Sequence, residues 1–317
     1  MENDDDIGAK QVPVQNDAIF LDHIAHWVSD PEGAREALLR LGFLATCESA
    51  QTQAPERRSQ ASEDDGASAG ISAGASNRCV MLRKGYIEVL WPTADTPIGL
   101  EIRAGIARHI GVHLAAFGVA DAKAHHRRLV DAGFPQRPVV SLTRKARLLS
   151  GDERILRFTV ARPERGSLPE GRVQFLTHHT ASIAWEGGRL AHPNGANGLT
   201  DLFFCVADIE EAIERYRLYL NRPFLRIEGG ARFALDRGFL WILDEAGTLD
   251  RIGLEPPCLP WMAGYALAFD DPSQIAKYAL QSGLRLHTAS DGLATIILPS
   301  VLGGAIVLHR GSYRSGL

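Results

Sequence analysis

Several signatures that would give this chain a quick reading are missing. Cysteine is scarce: Cys47, Cys79, Cys205 and Cys258 are the four present, and no two form a Cys-x-x-Cys pair. That argues against a zinc ribbon or a disulfide framework and reads as free thiols in a reducing, cytoplasmic setting. No run of 18 uninterrupted apolar residues occurs, so no transmembrane helix is expected. The start, Met1-Glu2-Asn3-Asp4-Asp5-Asp6, is acidic and lacks an apolar core, unlike a secretory signal. Positive charge is not in excess. The net charge is −4 and the isoelectric point near 6.3, so no nucleic-acid partner is expected, although Arg144, Lys145 and Arg147 form a local basic cluster. Glycine-rich phosphate loops are absent, which argues against a nucleotide cofactor. A Gly-x-Ser-x-Gly elbow is absent too, which argues against serine-hydrolase chemistry.

What the chain does have is a pattern used four times. A short apolar strand runs into an Asp, a helix of about three turns follows, and a Gly or aromatic residue closes it. The copies are Asp30 to Gly42-Phe43, Asp121 to Gly133-Phe134, Asp208 to Phe224, and Asp271 to Gly283-Leu284. The Asp-to-Gly gap is 12 residues in copies one, two and four, and copy three is longer. Each copy ends in a glycine that opens a strand: Gly85, Gly171, Gly238 and Gly304, with Glu88, Gln174, Trp241 and Val307 three places on. The unit reads as βαβββ, and a repeat at this scale governs the fold. The fold class is α+β.

The pattern also sets boundaries. Residues 1–17 are polar and expected to form a loose tail. Residues 18–187 hold modules one and two, and residues 188–317 hold modules three and four. The junction falls near His192-Pro193-Asn194-Gly195-Ala196-Asn197-Gly198, and another breaker cluster, Glu255 to Pro260, precedes module four. Residues 51–76 are rich in Ala, Ser, Gly and charge without apolar periodicity, and are expected to be a disordered or mobile insert. Asp30-Pro31 and Asp271-Pro272 are helix starts. Ile209, Ile213, Tyr216 and Leu220 mark one apolar helix face. His125 and His126 are expected on a solvated helix surface.

At Leu21-Asp22-His23-Ile24-Ala25, at Asn77-Arg78-Cys79-Val80-Met81-Leu82 leading to Tyr86-Ile87-Glu88, and at Gln174-Phe175-Leu176-Thr177-His178-His179-Thr180, the chain resembles the vicinal oxygen chelate superfamily. The branch it looks most like is that of glyoxalase-like domains. The resemblance spans roughly residues 18–311. It implies two open barrels, each built from a pair of modules, with a site in the cup. It also implies four inward positions that hold His, Glu or Gln ligands in metal-dependent members.

Carried over residue by residue, His23 and Glu88 occupy two of these positions and Gln174 a third. The fourth falls on Leu114, which cannot ligate; His113 stands one residue away and would need a β-bulge. A divalent ion (Zn, Ni, Fe, Mn or Mg) would suit these donors, although His23 reads equally as a core histidine, Glu88 as an ion-pair partner (to Arg78, for example) and Gln174 as an amide satisfying its strand. His178 or His179 is the candidate for acid–base work, against packing on Trp185. Asn77 and Arg78 are candidates for substrate binding, Arg78 through a carboxylate fork. The corresponding positions of modules three and four, Asp201, Trp241, Gly264 and Val307, offer no ligand set. That half reads as structural, as a dimer surface, or as an apolar cup lined by Trp241, Trp261 and Tyr265. The resemblance therefore implies a metal-dependent lyase or isomerase, less readily a ring-cleaving dioxygenase, acting on a small oxygenated molecule. Its alternative is a metal-free binding protein of the bleomycin-resistance type. The partners expected are a small-molecule ligand and a homodimer mate; no nucleic acid or membrane is expected.

Overall fold

A computed structural model describes residues 7–53, 71–186 and 188–311 of the chain. The sequence repeat is a structural one. The first unit comprises β1 (Ile19–Trp27), α1 (Pro31–Arg40), β2 (Ser49–Gln53), β3 (Ile71–Met81) and β4 (Tyr86–Pro92). A connecting helix, α2 (Pro97–Arg108), leads to β5 (Gly111–Val119), α3 (Ala122–Asp131), β6 (Val140–Arg147), β7 (Glu153–Ala161) and β8 (Arg172–His178). After α4 (Ala181–Glu186) come β9 (Ala196–Cys205), α5 (Ile209–Leu220), β10 (Phe224–Ile227), β11 (Gly230–Ala234) and β12 (Phe239–Leu243). Helix α6 (Glu245–Ile252) precedes β13 (Trp261–Phe269), α7 (Pro272–Gln281), β14 (Leu286–Thr288), β15 (Ala294–Ile297) and β16 (Ala305–Arg310).

Local chemistry fixes the helix of each unit. Asp30, Asp121, Asp208 and Asp271 all sit at the N-cap, and each carboxylate accepts a first-turn backbone N–H, from Gly33, Lys123, Glu211 and Ser273 respectively. Such a cap contributes about 1 kcal/mol. Helix α5 runs 12 residues against 10 for α1, and it stops at Asn221, which takes the left-handed backbone that glycine takes after the other three.

In every unit the first strand pairs in parallel with the last, as His23 opposite Tyr86 shows. Units join through antiparallel first strands, β1 with β5 and β9 with β13. In the N-terminal half the strand order β1-β4-β3-β2-β6-β7-β8-β5 returns to β1. This eight-stranded ring is closed by Thr52 opposite Thr143 and Gln53 opposite Leu142, so the gap of an open barrel is bridged here. In the C-terminal half the order is β10-β11-β12-β9-β13-β16-β15-β14, and among the described residues β10 and β14 do not pair. That barrel is open. A Met262–Val112 pairing joins the two halves into one sheet. No helix among the described residues is long and apolar enough to cross a membrane.

Three expectations need correction. The polar segment read as a loose tail is held down from Ile7 onward: the buried Gln11 amide donates to the Ile7 and Arg83 carbonyls and its oxygen accepts from Arg237. The insert is shorter than expected, because Gln51–Gln53 extend β2 and Ile71–Ser76 extend β3; residues 54–70 lie outside the described residues. Buried Ala73 and Ala75 show why, since small residues there let β3 continue beneath α2. His125 is not solvated. It shares the buried face of α3 with Ala122 and Leu129, three and four residues away, and packs on Phe175 at 4.6 Å.

Candidate functional site

Alternation along the strands sends every second residue into the N-terminal barrel. His23 comes from β1, Tyr86 and Glu88 from β4, Arg144 from β6, and Arg172 and Gln174 from β8; Arg162 follows β7. Together with Leu114, Phe158 and other apolar side chains they enclose a cavity of about 90 Å³. A water needs roughly 10–15 Å³, so this is room for a small molecule.

His23 is held by a residue outside the alternation. The register of β1 against β5 slips between Leu21 and His23, leaving Asp22 as the extra residue of a β-bulge. The bulge turns a wholly buried carboxylate alongside its own neighbour: Asp22 Oδ1 lies 2.6 Å from His23 Nδ1. His178 Nε2 reaches the same carboxylate at 3.1 Å. Gly118 leaves room for it, since a Cβ there would stand 3.2 Å from Asp22 Oδ2. Burial by itself would raise the Asp22 pKa, but the His178 and His23 rings outweigh it and hold the carboxyl well below the usual carboxylate range. An ionised Asp22 accepts from His23 Nδ1, and among the described residues no hydrogen bond engages His23 Nε2. Tyr86 stacks on the ring at 4.3 Å and fixes its plane.

Glu88 is buried, and one of its oxygens accepts from the Asn77 and Gln51 amides while Arg144 stands 4.0 Å away. Gln174 is already engaged: its Oε1 accepts from Arg162 Nε at 2.8 Å. Arg172 pairs with Glu101 of α2 at 2.8 Å and lies over Trp27. Three guanidiniums thus line a cavity with one carboxylate.

Of the residues picked from sequence, His23, Glu88 and Gln174 come together in the cavity. Asn77 lies behind, donating to Glu88. Arg78 points away and pairs with Glu32 at 2.7 Å, so the ion-pair partner near Glu88 is Arg144. His178 lies behind Asp22, edge-on to Trp185 at 5.3 Å, and His179 is exposed and bonds Thr159 at 2.8 Å. His113 does occupy a bulge, being the extra residue between Val112 and Leu114. The bulge nevertheless keeps Leu114 inward, and His113 stacks on Trp27 and His109 outside the cavity. Sequence reasoning missed Asp22, Arg144, Arg162 and Arg172. Asp22 carried one signal, an acid inside an otherwise apolar strand next to His23, and only the bulge converts it into a partner.

A family model described as "Glyoxalase-like domain" matches residues 21–220, more than half of the 317 residues. The chain belongs to the glyoxalase-like domain family. Glyoxalase-like proteins of this kind fall in the vicinal oxygen chelate superfamily, and the solved structures agree on the fold. A hypothetical protein from Staphylococcus aureus aligns with a TM-score of 0.62 at 8% identity, covering 92% of this chain and 100% of that one. A triple mutant of 4-hydroxymandelate synthase from Streptomyces coelicolor aligns with a TM-score of 0.52 at 14% identity, covering 94% and 95%. No curated protein matches the sequence.

The superfamily implies a metal, and the donors of this glyoxalase-like cavity decide whether one fits. His23 and Glu88 are available. The Gln174 oxygen is taken by Arg162, the fourth position is Leu114, and a guanidinium stands beside Glu88. Among the described residues no three His, Cys, Asp or Glu side chains cluster in a way that would hold an ion. The residues present do not fit a tightly held divalent metal. The C-terminal barrel of this glyoxalase-like chain offers no substitute. Asp201 accepts from Trp241 Nε1 at 2.7 Å, and Trp261 and Val307 are packed in an apolar cluster. Tyr265 packs in the main core instead, where its hydroxyl meets His26 Nε2 at 3.1 Å, so the three residues expected to line one apolar cup do not share a cluster.

Proposed function

We propose that the N-terminal barrel moves a proton on a small oxygenated organic molecule, as an isomerase or lyase. The observation that carries this reading is His23 facing the cavity with the buried Asp22 behind it, holding Nδ1 and leaving Nε2 unbonded among the described residues. His23 Nε2 takes a proton from a carbon next to a carbonyl or carboxylate. The electron pair moves onto the oxygen, where an arginine of the wall stabilises the charge. Return of the proton to the neighbouring carbon isomerises the molecule; loss of a leaving group from that carbon eliminates it. Asp22 keeps the ring in the tautomer this needs. The metal-dependent form of the same chemistry has the weaker support, for want of donors. Ring-cleaving dioxygenase chemistry has the least, because the histidine it required, His113, stacks outside the cavity.

The test is exchange of ligand C–H for deuterium in heavy water, followed by NMR over a panel of small oxo- and hydroxy-acids. Exchange catalysed by the wild type and lost in His23→Ala supports the reading. Ligands that bind without exchange in either protein would replace it with the second reading, a binding protein, which the engaged Gln174 also favours.

A further inference from the structure

Two arginines face two spaces at once. Arg162 and Arg172 line the inner cavity, and both also line a groove of about 430 Å³ on the outer side, between α2 and the segment joining β7 to β8. Arg108, Arg137 and Arg165 face the same groove. The acids there are Glu101 and Glu164, and Glu101 is already spent on Arg172 at 2.8 Å and Arg165 at 3.1 Å. Arg162 differs from its neighbours. Its one side-chain hydrogen bond goes to the neutral Gln174 amide, and among the described residues it pairs with no carboxylate. Burial, and then the like charges of Arg172 and Arg137, push its pKa down to about 9, and the charge of Glu101, which bonds Arg172 and Arg165, offsets only part of this. A guanidinium in such a place is destabilising unless a counter-charge arrives, and its planar fork matches a carboxylate in two parallel hydrogen bonds.

We infer that Arg162, seconded by Arg172, is the seat of a carboxylate group carried by the ligand, and that the basic groove beside α2 is its way in. This rests on the reading of the cavity given above and deepens it. The carboxylate is held at the Arg162–Gln174 end while the rest of the molecule extends toward His23 and Glu88. The role that the sequence suggested for Arg78 belongs to Arg162. Arg144 is a poorer seat because Glu88 already faces it, and Arg172 a poorer one because Glu101 does.

The experiment is a thermal-shift titration of the full chain at fixed ionic strength with oxalate, succinate and inorganic phosphate. It is run on wild type, Arg162→Gln, Arg162→Lys and Arg78→Gln. The expected result is stabilisation of the wild type by a carboxylate. Apparent affinity should be at least tenfold weaker in Arg162→Gln, partly recovered in Arg162→Lys, and within a few-fold of wild type in Arg78→Gln, whose guanidinium pairs with Glu32 away from the cavity. A shift of equal size in Arg162→Gln overturns the assignment, as does the lack of any carboxylate shift in the wild type. A response to phosphate alone overturns the carboxylate class in favour of a phosphoryl ligand. Because the readout is binding, a positive result here beside failed deuterium exchange would keep the seat and discard the His23 base.

Discussion

In the N-terminal barrel the four inward positions are His23, Glu88, Leu114 and Gln174; in the C-terminal barrel they are Asp201, Trp241, Gly264 and Val307. The two barrels share element order, parallel first-to-last strand pairing and antiparallel joining of first strands. Their interiors went opposite ways. On the C-terminal side the one acid is satisfied internally by Trp241, whose ring is flanked by Arg232 and Arg251 at 5.3 and 4.5 Å. Gly264 has no room for a side chain, since a Cβ would stand 2.3 Å from the Ala305 carbonyl oxygen. Ile252 of α6 is buried in the same apolar cluster. On the N-terminal side α2 packs on β3, β4 and β1 without filling the ring, and polar groups are left facing a cavity. The comparison teaches that fold and interior are separable: one barrel keeps polar side chains around a cavity while its near-copy is packed with apolar ones.

The predictions below sharpen this contrast. The largest effect is on chemistry. His23→Ala should lower turnover by about 100- to 10,000-fold, while Trp241→Ala in the other barrel leaves turnover of the folded protein within a few-fold. Steady-state kinetics on both variants decides it, and equal losses would erase the distinction between the barrels.

Next is one of the buried ties between the halves. Buried Glu170, just before β8, accepts two bonds from Arg215 of α5 at 2.9 Å and one from the Tyr216 hydroxyl at 2.9 Å. Glu170→Ala leaves Arg215 with Glu211 alone, at 2.8 Å, and the buried Tyr216 hydroxyl without its acceptor, and should cost about 1.5–3 kcal/mol. Urea unfolding checks this, and a change below about 1 kcal/mol would contradict it.

The third is pH dependence. His26 is pushed down to about 4 by burial, even though its Nδ1 donates to the Leu302 carbonyl; its Nε2 accepts from Tyr265. His109 and His125 are pushed down to about 4 and His113 to about 3, again chiefly by burial. Each is a base whose folded pKa lies below its unfolded value near 6.5. The unfolded chain therefore binds more protons between pH 6.5 and about 4, and stability present above that window is lost as pH falls through it. His26 alone contributes about 3 kcal/mol of this loss. The melting temperature of His26→Gln should fall less steeply than that of wild type over this range; parallel curves would refute the assignment.

The smallest concerns the filled barrel. Trp241→Phe removes the donor to Asp201, whose carboxyl burial already raises, and should cost about 1–3 kcal/mol. Carboxylate-induced thermal shifts should be unchanged in it.

Much of this was legible in the chain. The four Asp caps and the four glycine-led strands gave the modules, because capping and turn chemistry act within a few residues. His23, Glu88 and Gln174 could be placed in one cup by their distance from those marks. What was not legible depends on register. Strict alternation assigns Asp22 and His23 to opposite faces, and only the bulge at Asp22 brings them together. A bulge was anticipated near His113, and one exists there, yet the side chain it expels stacks on Trp27. The arginines of the cavity come from β6, β8 and the end of β7, elements that the repeat marks but whose inward residues it does not name.

The measurement that tests the central claim most directly is metal content. Tag-free protein is incubated with zinc, nickel, iron or manganese, washed, and analysed by plasma mass spectrometry beside the His23→Ala/Glu88→Ala double variant. A cavity built for an organic anion and a histidine base predicts well under one metal per chain, the same in both proteins. Near-stoichiometric metal in the wild type that disappears in the double variant would contradict it.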